Sequence, residues 1–156
     1  MKIRKFFLTV AYSGLSPVAP GTVGSLISLF FVILLIQLLH PSTIFLLTIL
    51  ISIIFIKQID IYEKETKTHD SKIIVIDELV GMWFAFVISG ATTDNWLWYA
   101  IFSFIYFRLF DILKPSIIGK IDKNVKGGLG VMGDDIVAGF FAGLTTSLTI
   151  YLGGLL

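Results

Sequence analysis

Residues 23–39 read VGSLISLFFVILLIQLL, and residues 43–56, after the connector His40-Pro41-Ser42, read TIFLLTILISIIFI. No Asp, Glu, Lys or Arg occurs anywhere between Lys5 and Lys57. A helix crossing the hydrocarbon layer of a bilayer needs about 20 apolar residues, with a range of roughly 17–25. The first run meets that length narrowly, and the second needs its flanks. Pro17, Pro20 and Pro41 forbid one continuous helix, because an interior proline removes a backbone donor and clashes with the preceding turn. Neither run carries a polar face at helical spacing, as burial in lipid requires.

Three further runs extend the pattern. Ile73–Ala91 is apolar except for Asp77 and Glu78, Trp96–Ile112 except for Arg108 and Asp111, and Ile136–Leu156 carries no charge. The expected fold is all-α: a membrane helical bundle of about five transmembrane helices, with the N-terminal segment as an interfacial helix, in a single domain spanning 1–156. Composition agrees. Apolar residues make up 56% of the 156 and charged residues 15%, with a mean hydropathy of +0.91, more apolar side chain than a soluble domain of this size can bury. Twelve Lys and Arg nearly cancel eleven Asp and Glu, so no bulk charge favours nucleic acid as a partner. The absence of cysteine excludes disulfides, a thiolate nucleophile and cysteine-bound metal. Two histidines, His40 and His69, do not make a histidine-rich metal site.

The cations set the orientation. With the N-terminus in the cytoplasm and five spans threaded, every Lys and Arg falls at or near the cytoplasmic side, and the outer turns at 40–42 and 92–95 hold none. That is the positive-inside pattern, and Trp96, Trp98 and Tyr99 stand where an outer aromatic belt belongs. The chain is therefore expected to be a multi-pass membrane protein with a cytoplasmic N-terminus. The competing reading of Lys2–Leu15 as a signal peptide is disfavoured by Pro20 just beyond any plausible cleavage position.

Within this frame the intramembrane charges stand out, since a carboxylate on an apolar helix costs several kcal/mol unless it meets partners or water. Asp77 lies about 7–8 Å inward from Lys72 at 1.5 Å per residue, just below the cytoplasmic interface, with Glu78 beside it. Asp70 precedes Asp77 by two turns and can share its face or cap the helix start. Arg108 and Asp111 are spaced to pair at the end of the fourth span, followed by Lys114 and Pro115. Asp134 and Asp135 stand before the last apolar run, where they either complement the helix dipole or repel each other until a divalent cation intervenes. The glycine-rich stretch ahead of them lacks the Gly-Lys-Ser/Thr of a P-loop. Thr22 and Ser25, at a helix start on the same side, are candidates for phosphate contact or simple caps. Carboxylates with Arg and Lys at a lipid headgroup layer suggest an oxygen-liganded cation, Mg²⁺ by preference, and a phosphorylated lipid.

These motifs resemble the phosphatidylglycerophosphatase A family of bacterial membrane lipid phosphatases. The resemblance runs through Phe6-Phe-Leu-Thr and Tyr12-Ser-Gly-Leu-Ser-Pro-Val-Ala-Pro-Gly-Thr-Val-Gly-Ser25, then Asp70 and Val75-Ile-Asp-Glu-Leu-Val-Gly81. It continues in Arg108-Leu-Phe-Asp-Ile-Leu-Lys-Pro115 and Gly127-Gly-Leu-Gly-Val-Met-Gly-Asp-Asp-Ile-Val-Ala-Gly139. Ser71 departs from it, standing where proline is expected. The resemblance implies Mg²⁺-dependent removal of the terminal phosphate from phosphatidylglycerophosphate. On the combined reading, Asp70, Asp77, Glu78, Asp134 and Asp135 hold the metal, Asp111 belongs to the catalytic set, and Arg108, Lys114, Thr22 and Ser25 contact the substrate. The nucleophile is a water or one of the aspartates. A small ion-coupled transporter is the alternative, although transporters place such acids near the bilayer midplane and often carry internal repeats.

Overall fold

The computed structural model describes residues 2–68 and 71–154. Among them every regular element is a helix. In chain order these are α1 (Lys2–Leu8), a 3-10 turn (Ser13–Leu15), α2 (Pro20–Ile36), α3 (Pro41–Thr66), α4 (Ile76–Ile88), α5 (Trp96–Leu113), α6 (Ile117–Asn124) and α7 (Gly128–Gly153). The prolines begin helices. Pro20 and Pro41 each occupy a first turn, where the missing N–H has no intrahelical partner to lose. The His40 side chain caps α3 by accepting from the Ser42 N–H at 3.3 Å.

Three helices, α3, α5 and α7, are long and apolar enough to cross a membrane, and α2 is apolar over 17 residues. Each of the four presents an outward stripe of large apolar residues at one-turn spacing: Leu26, Phe30 and Leu34 on α2; Leu46, Leu50 and Ile53 on α3; Leu97, Ile101, Ile105 and Leu109 on α5; Phe140, Leu144 and Leu148 on α7. Stripes facing outward invert the soluble pattern and suit lipid contact.

α4 is different. The run read as residues 73–91 forms a helix only over its 13-residue middle, about 20 Å at 1.5 Å per residue. Leu79 through Phe86 are all buried, so α4 is the core around which the others pack. Ile73–Val75 stay non-helical. The Val75 N–H donates to the Leu8 carbonyl at 2.9 Å, and a Cβ at Gly24 would lie 2.7 Å from that of Val75, so α2 comes against this strap at close range. The Trp83 indole N–H then donates to the Ser28 carbonyl at 2.9 Å, fixing α4 to α2.

Glycines set the closest approach, between α4 and α7. A Cβ at Gly139 would collide with the backbone of Gly81, and one at Gly81 would meet the Phe107 ring and lie 2.7 Å from the Asp135 carbonyl oxygen. One turn further on, a Cβ at Gly143 would come 2.8 Å from the Ala85 carbonyl oxygen. Gly81/Ala85 on α4 and Gly139/Gly143 on α7 thus form facing small-residue pairs, the spacing that lets helix backbones meet where lipid supplies no hydrophobic drive.

Candidate active site

One helical turn before that crossing, both helices carry acids. Asp77 and Glu78 precede Gly81 by four and three residues, and Asp135 precedes Gly139 by four. Residues four apart share a helix face, so the contact that brings Gly81 onto Gly139 brings the acids together as well. Asp77, Glu78 and Asp135 each offer a carboxylate oxygen, and these atoms lie within 4.8 Å of one another.

The cluster opens onto a cavity of about 290 Å³ at the end of the bundle where α2, α4 and α7 begin and α5 ends. Its lining includes Pro20, Gly21, Arg108, Asp111, Lys114, Asp122 and Asp134 beside the three clustered acids. The Arg108 guanidinium donates through Nη1 to Ser25 Oγ at 3.2 Å and pairs with Asp111 at 2.7 Å. Ser25 in turn donates to the Gly21 carbonyl at 2.8 Å. Gly21 borders both charged groups: a Cβ there would press into the Glu78 carboxylate and come within 3.4 Å of Arg108 Nη2. Lys114 pairs with Asp134 at 2.6 Å and with Asp122. Burial works against the Lys114 charge, but hydrogen bonds and attraction from Asp122 and Asp134 outweigh it and hold this ammonium above the ordinary lysine value.

Four polar atoms around the cavity are buried without a hydrogen-bond partner among the described residues: Asp77 Oδ1, Glu78 Oε2, Asp134 Oδ1 and Arg108 Nε. An unsatisfied buried polar atom costs about 1–3 kcal/mol, more if charged. Three carboxylate oxygens and one guanidinium nitrogen, all around the same space, are complementary to a cation and to an anion respectively. The donor set is all oxygen, as a hard divalent cation prefers, so the residues present fit Mg²⁺.

Of the residues expected from sequence, Asp77, Glu78, Arg108, Asp111, Lys114, Asp134 and Asp135 all line this one cavity. Asp134 is engaged by Lys114, while its neighbour Asp135 joins the cluster. Ser25 is fully buried behind Arg108. Thr22 is half-buried on the first turn of α2 and is not among the lining residues. Asp70 lies outside the described residues. Sequence reading passed over Gly21, Asp122 and the Gly81–Gly139 crossing. The glycine pairs at four-residue spacing, each one turn after an acid, were a usable signal.

The sequence profile of phosphatidylglycerophosphatase A matches residues 6–150. The chain belongs to the phosphatidylglycerophosphatase A family. Its relatives include phosphatidylglycerophosphatase A of Escherichia coli K12, 40% identical over 81% of this chain and 72% of the relative. The Haemophilus influenzae phosphatidylglycerophosphatase A is 35% identical, covering 83% and 78%. A Bacteroides thetaiotaomicron protein provisionally named as a phosphatidylinositol-3-phosphatase is 38% identical, covering 83% and 82%. No solved structure matches. Membership of the phosphatidylglycerophosphatase A family makes the chain a phosphatase and displaces the transporter reading. The acids gather at one end of the bundle, as an enzyme meeting headgroups at a membrane surface requires.

Proposed function

We propose that this chain hydrolyses phosphatidylglycerophosphate to phosphatidylglycerol and inorganic phosphate, with Mg²⁺, at the cytoplasmic face of a bacterial inner membrane that it crosses five times. The observation that carries the reading is the single cavity in which Asp77, Glu78 and Asp135 converge beside Arg108 and Lys114, at the end of a bundle whose flanks are apolar stripes. The substrate follows from the E. coli and H. influenzae relatives. α2 and the short α4 are counted as crossings because they begin at the cavity end and run beside the longer helices. The cavity end is taken as cytoplasmic because the Lys and Arg lie toward it.

Charge arithmetic supports the metal. Six carboxylates line the cavity (Asp77, Glu78, Asp111, Asp122, Asp134, Asp135) against three cationic side chains, Lys72, Arg108 and Lys114. An anionic phosphate enters such a space only with further positive charge beside it. Asp77, Glu78 and Asp135 would hold Mg²⁺, which when bound would polarise a phosphoryl oxygen and offset charge in the transition state. Arg108 presents its remaining N–H groups to phosphate, in the bidentate manner its planar fork allows. Asp111 and Ser25 fix the plane of that fork, and Asp134 aims Lys114 into the same space. The apolar stripes leave the diacylglycerol part of the substrate in lipid while its headgroup enters from the end.

The test is release of inorganic phosphate by purified protein in detergent–lipid micelles. Phosphatidylglycerophosphate, phosphatidylinositol 3-phosphate and phosphatidic acid are offered separately, with Mg²⁺ or with EDTA. Fastest turnover of phosphatidylglycerophosphate, abolished by EDTA and restored by Mg²⁺, is expected. Preference for the inositol lipid would transfer the assignment to the Bacteroides-type activity. Full activity in EDTA would remove the metal.

A further inference from the structure

Asp122 stands apart from the carboxylate cluster, on a different helix, yet the chain is shaped to return it to the cavity. Lys114 and Ser116, on either side of Pro115, both adopt positive φ, 44° and 50°, which turns the chain sharply directly after α5. α6 then packs against α7. A Cβ at Gly119 would lie 2.6 Å from the Lys114 carbonyl oxygen, so the turn closes onto the start of α6 at a distance that only glycine permits, with Ile118 buried beside it. Asp122, one turn beyond Ile118 and Gly119, projects from the same face and pairs with the Lys114 ammonium.

Lys114 is therefore held between two carboxylates of unequal standing. The Asp134 side chain is 6% exposed and the Asp122 side chain 34%. Asp134 has its other oxygen buried without a partner among the described residues, so losing Lys114 would strand a charge, which is strongly unfavourable. Asp122 can take up water instead, and an exposed pair is worth little. When a phosphate arrives, Asp122 is the partner that gives way.

We propose that Asp122 is a positioning residue that governs product release: its carboxylate occupies Lys114 in the resting site, competes with the incoming phosphate for that ammonium, and returns to it when inorganic phosphate leaves. The proposal rests on the reading of this cavity as a phosphate site. Asp122 thereby weakens binding of the released phosphate and keeps the product from holding the site.

The experiment measures binding of inorganic phosphate, in Mg²⁺, to the purified full chain by calorimetry, so it needs no lipid turnover. Asp122→Asn keeps the size of an exposed side chain and removes its charge. It is expected to tighten phosphate binding by at least about fivefold, as relief of a charge competitor should, and to lower KM and kcat together in the lipid assay. In a Lys114→Met background the same substitution should change phosphate affinity less than twofold. An Asp122→Asn protein with unchanged or weaker phosphate binding overturns the proposal. So does an equal gain without Lys114, which would mean simple repulsion. Weakened Mg²⁺ binding in Asp122→Asn would make Asp122 a metal ligand and overturn it too. Failure of every form to bind phosphate removes both the competition by Asp122 and the phosphate site. Failure to hydrolyse phosphatidylglycerophosphate, with the phosphate gain intact, removes the substrate assignment alone.

Discussion

Arg108 draws its orientation from two directions: Asp111, one turn along its own helix, and Ser25, buried on α2. It lines the cavity, and its Nε is buried without a partner among the described residues. Lysine at this position would keep the charge but lose the planar fork, so Arg108→Lys is expected to raise KM for the lipid by about tenfold or more, with a smaller change in kcat. Ser25→Ala should reproduce a weaker version of that defect, because it loosens Arg108 without removing it. The clustered acids predict a different signature. Asp135→Asn removes a charge from the group that fits the cation, and a loss of about a hundredfold or more in kcat is expected, together with weaker Mg²⁺ binding by calorimetry. Wild-type rates for both Asp77→Asn and Asp135→Asn would place the chemistry elsewhere. Lys114, held above the ordinary lysine value by Asp122 and Asp134, keeps its charge at all physiological pH. Its contribution to stability is complete below about 10.4 and is lost only as pH rises beyond that value.

At the scale of elements, the α4–α7 crossing fixes the acids by way of residues that carry no chemistry. Gly139→Ala is expected to cost about 1–3 kcal/mol through overpacking against α4 and to reduce activity more than the lowered stability alone explains, because the acids lie one turn from the contact. Circular dichroism and thermal melting would confirm a folded bundle, against which the activity loss is read. The helices and most of the cavity lining were legible in the sequence for a plain reason. Apolar runs and intruding charges are local signals, and membrane topology forces charges on successive spans toward one plane. Asp77, Glu78, Arg108, Asp111, Asp134 and Asp135 were all visible in that way. Asp122 was not, since an acid on a short polar helix is unremarkable until the turn at Lys114–Ser116 is known. The late start of α4 was also hidden, because Ile73–Val75 are as apolar as the helix that follows them. What holds Val75 out of the helix is its long-range hydrogen bond to Leu8.

For the whole molecule, the five-crossing reading places Asp94 and α6 on opposite sides of the bilayer. The chain has no cysteine, so single reporters need no background cleared. Asp94→Cys is expected to react with a membrane-impermeant maleimide added outside intact cells, and Lys123→Cys only after the membrane is opened. Labelling of both positions from one side would refute an odd number of crossings between them. The division of labour in the bundle follows from its surface. α2, α3, α5 and α7 give their apolar stripes outward, which leaves α4 at the buried centre with its acids facing the cavity at one end.

The glycine contact between α4 and α7 also sets the bite of the carboxylate cluster. The oxygens of Asp77, Glu78 and Asp135 lie within 4.8 Å of one another, and a methyl group at position 139 would press on the Gly81 backbone one turn away. If the three acids hold a cation, Gly139→Ala should weaken Mg²⁺ binding measured by calorimetry, although it leaves every carboxylate in place.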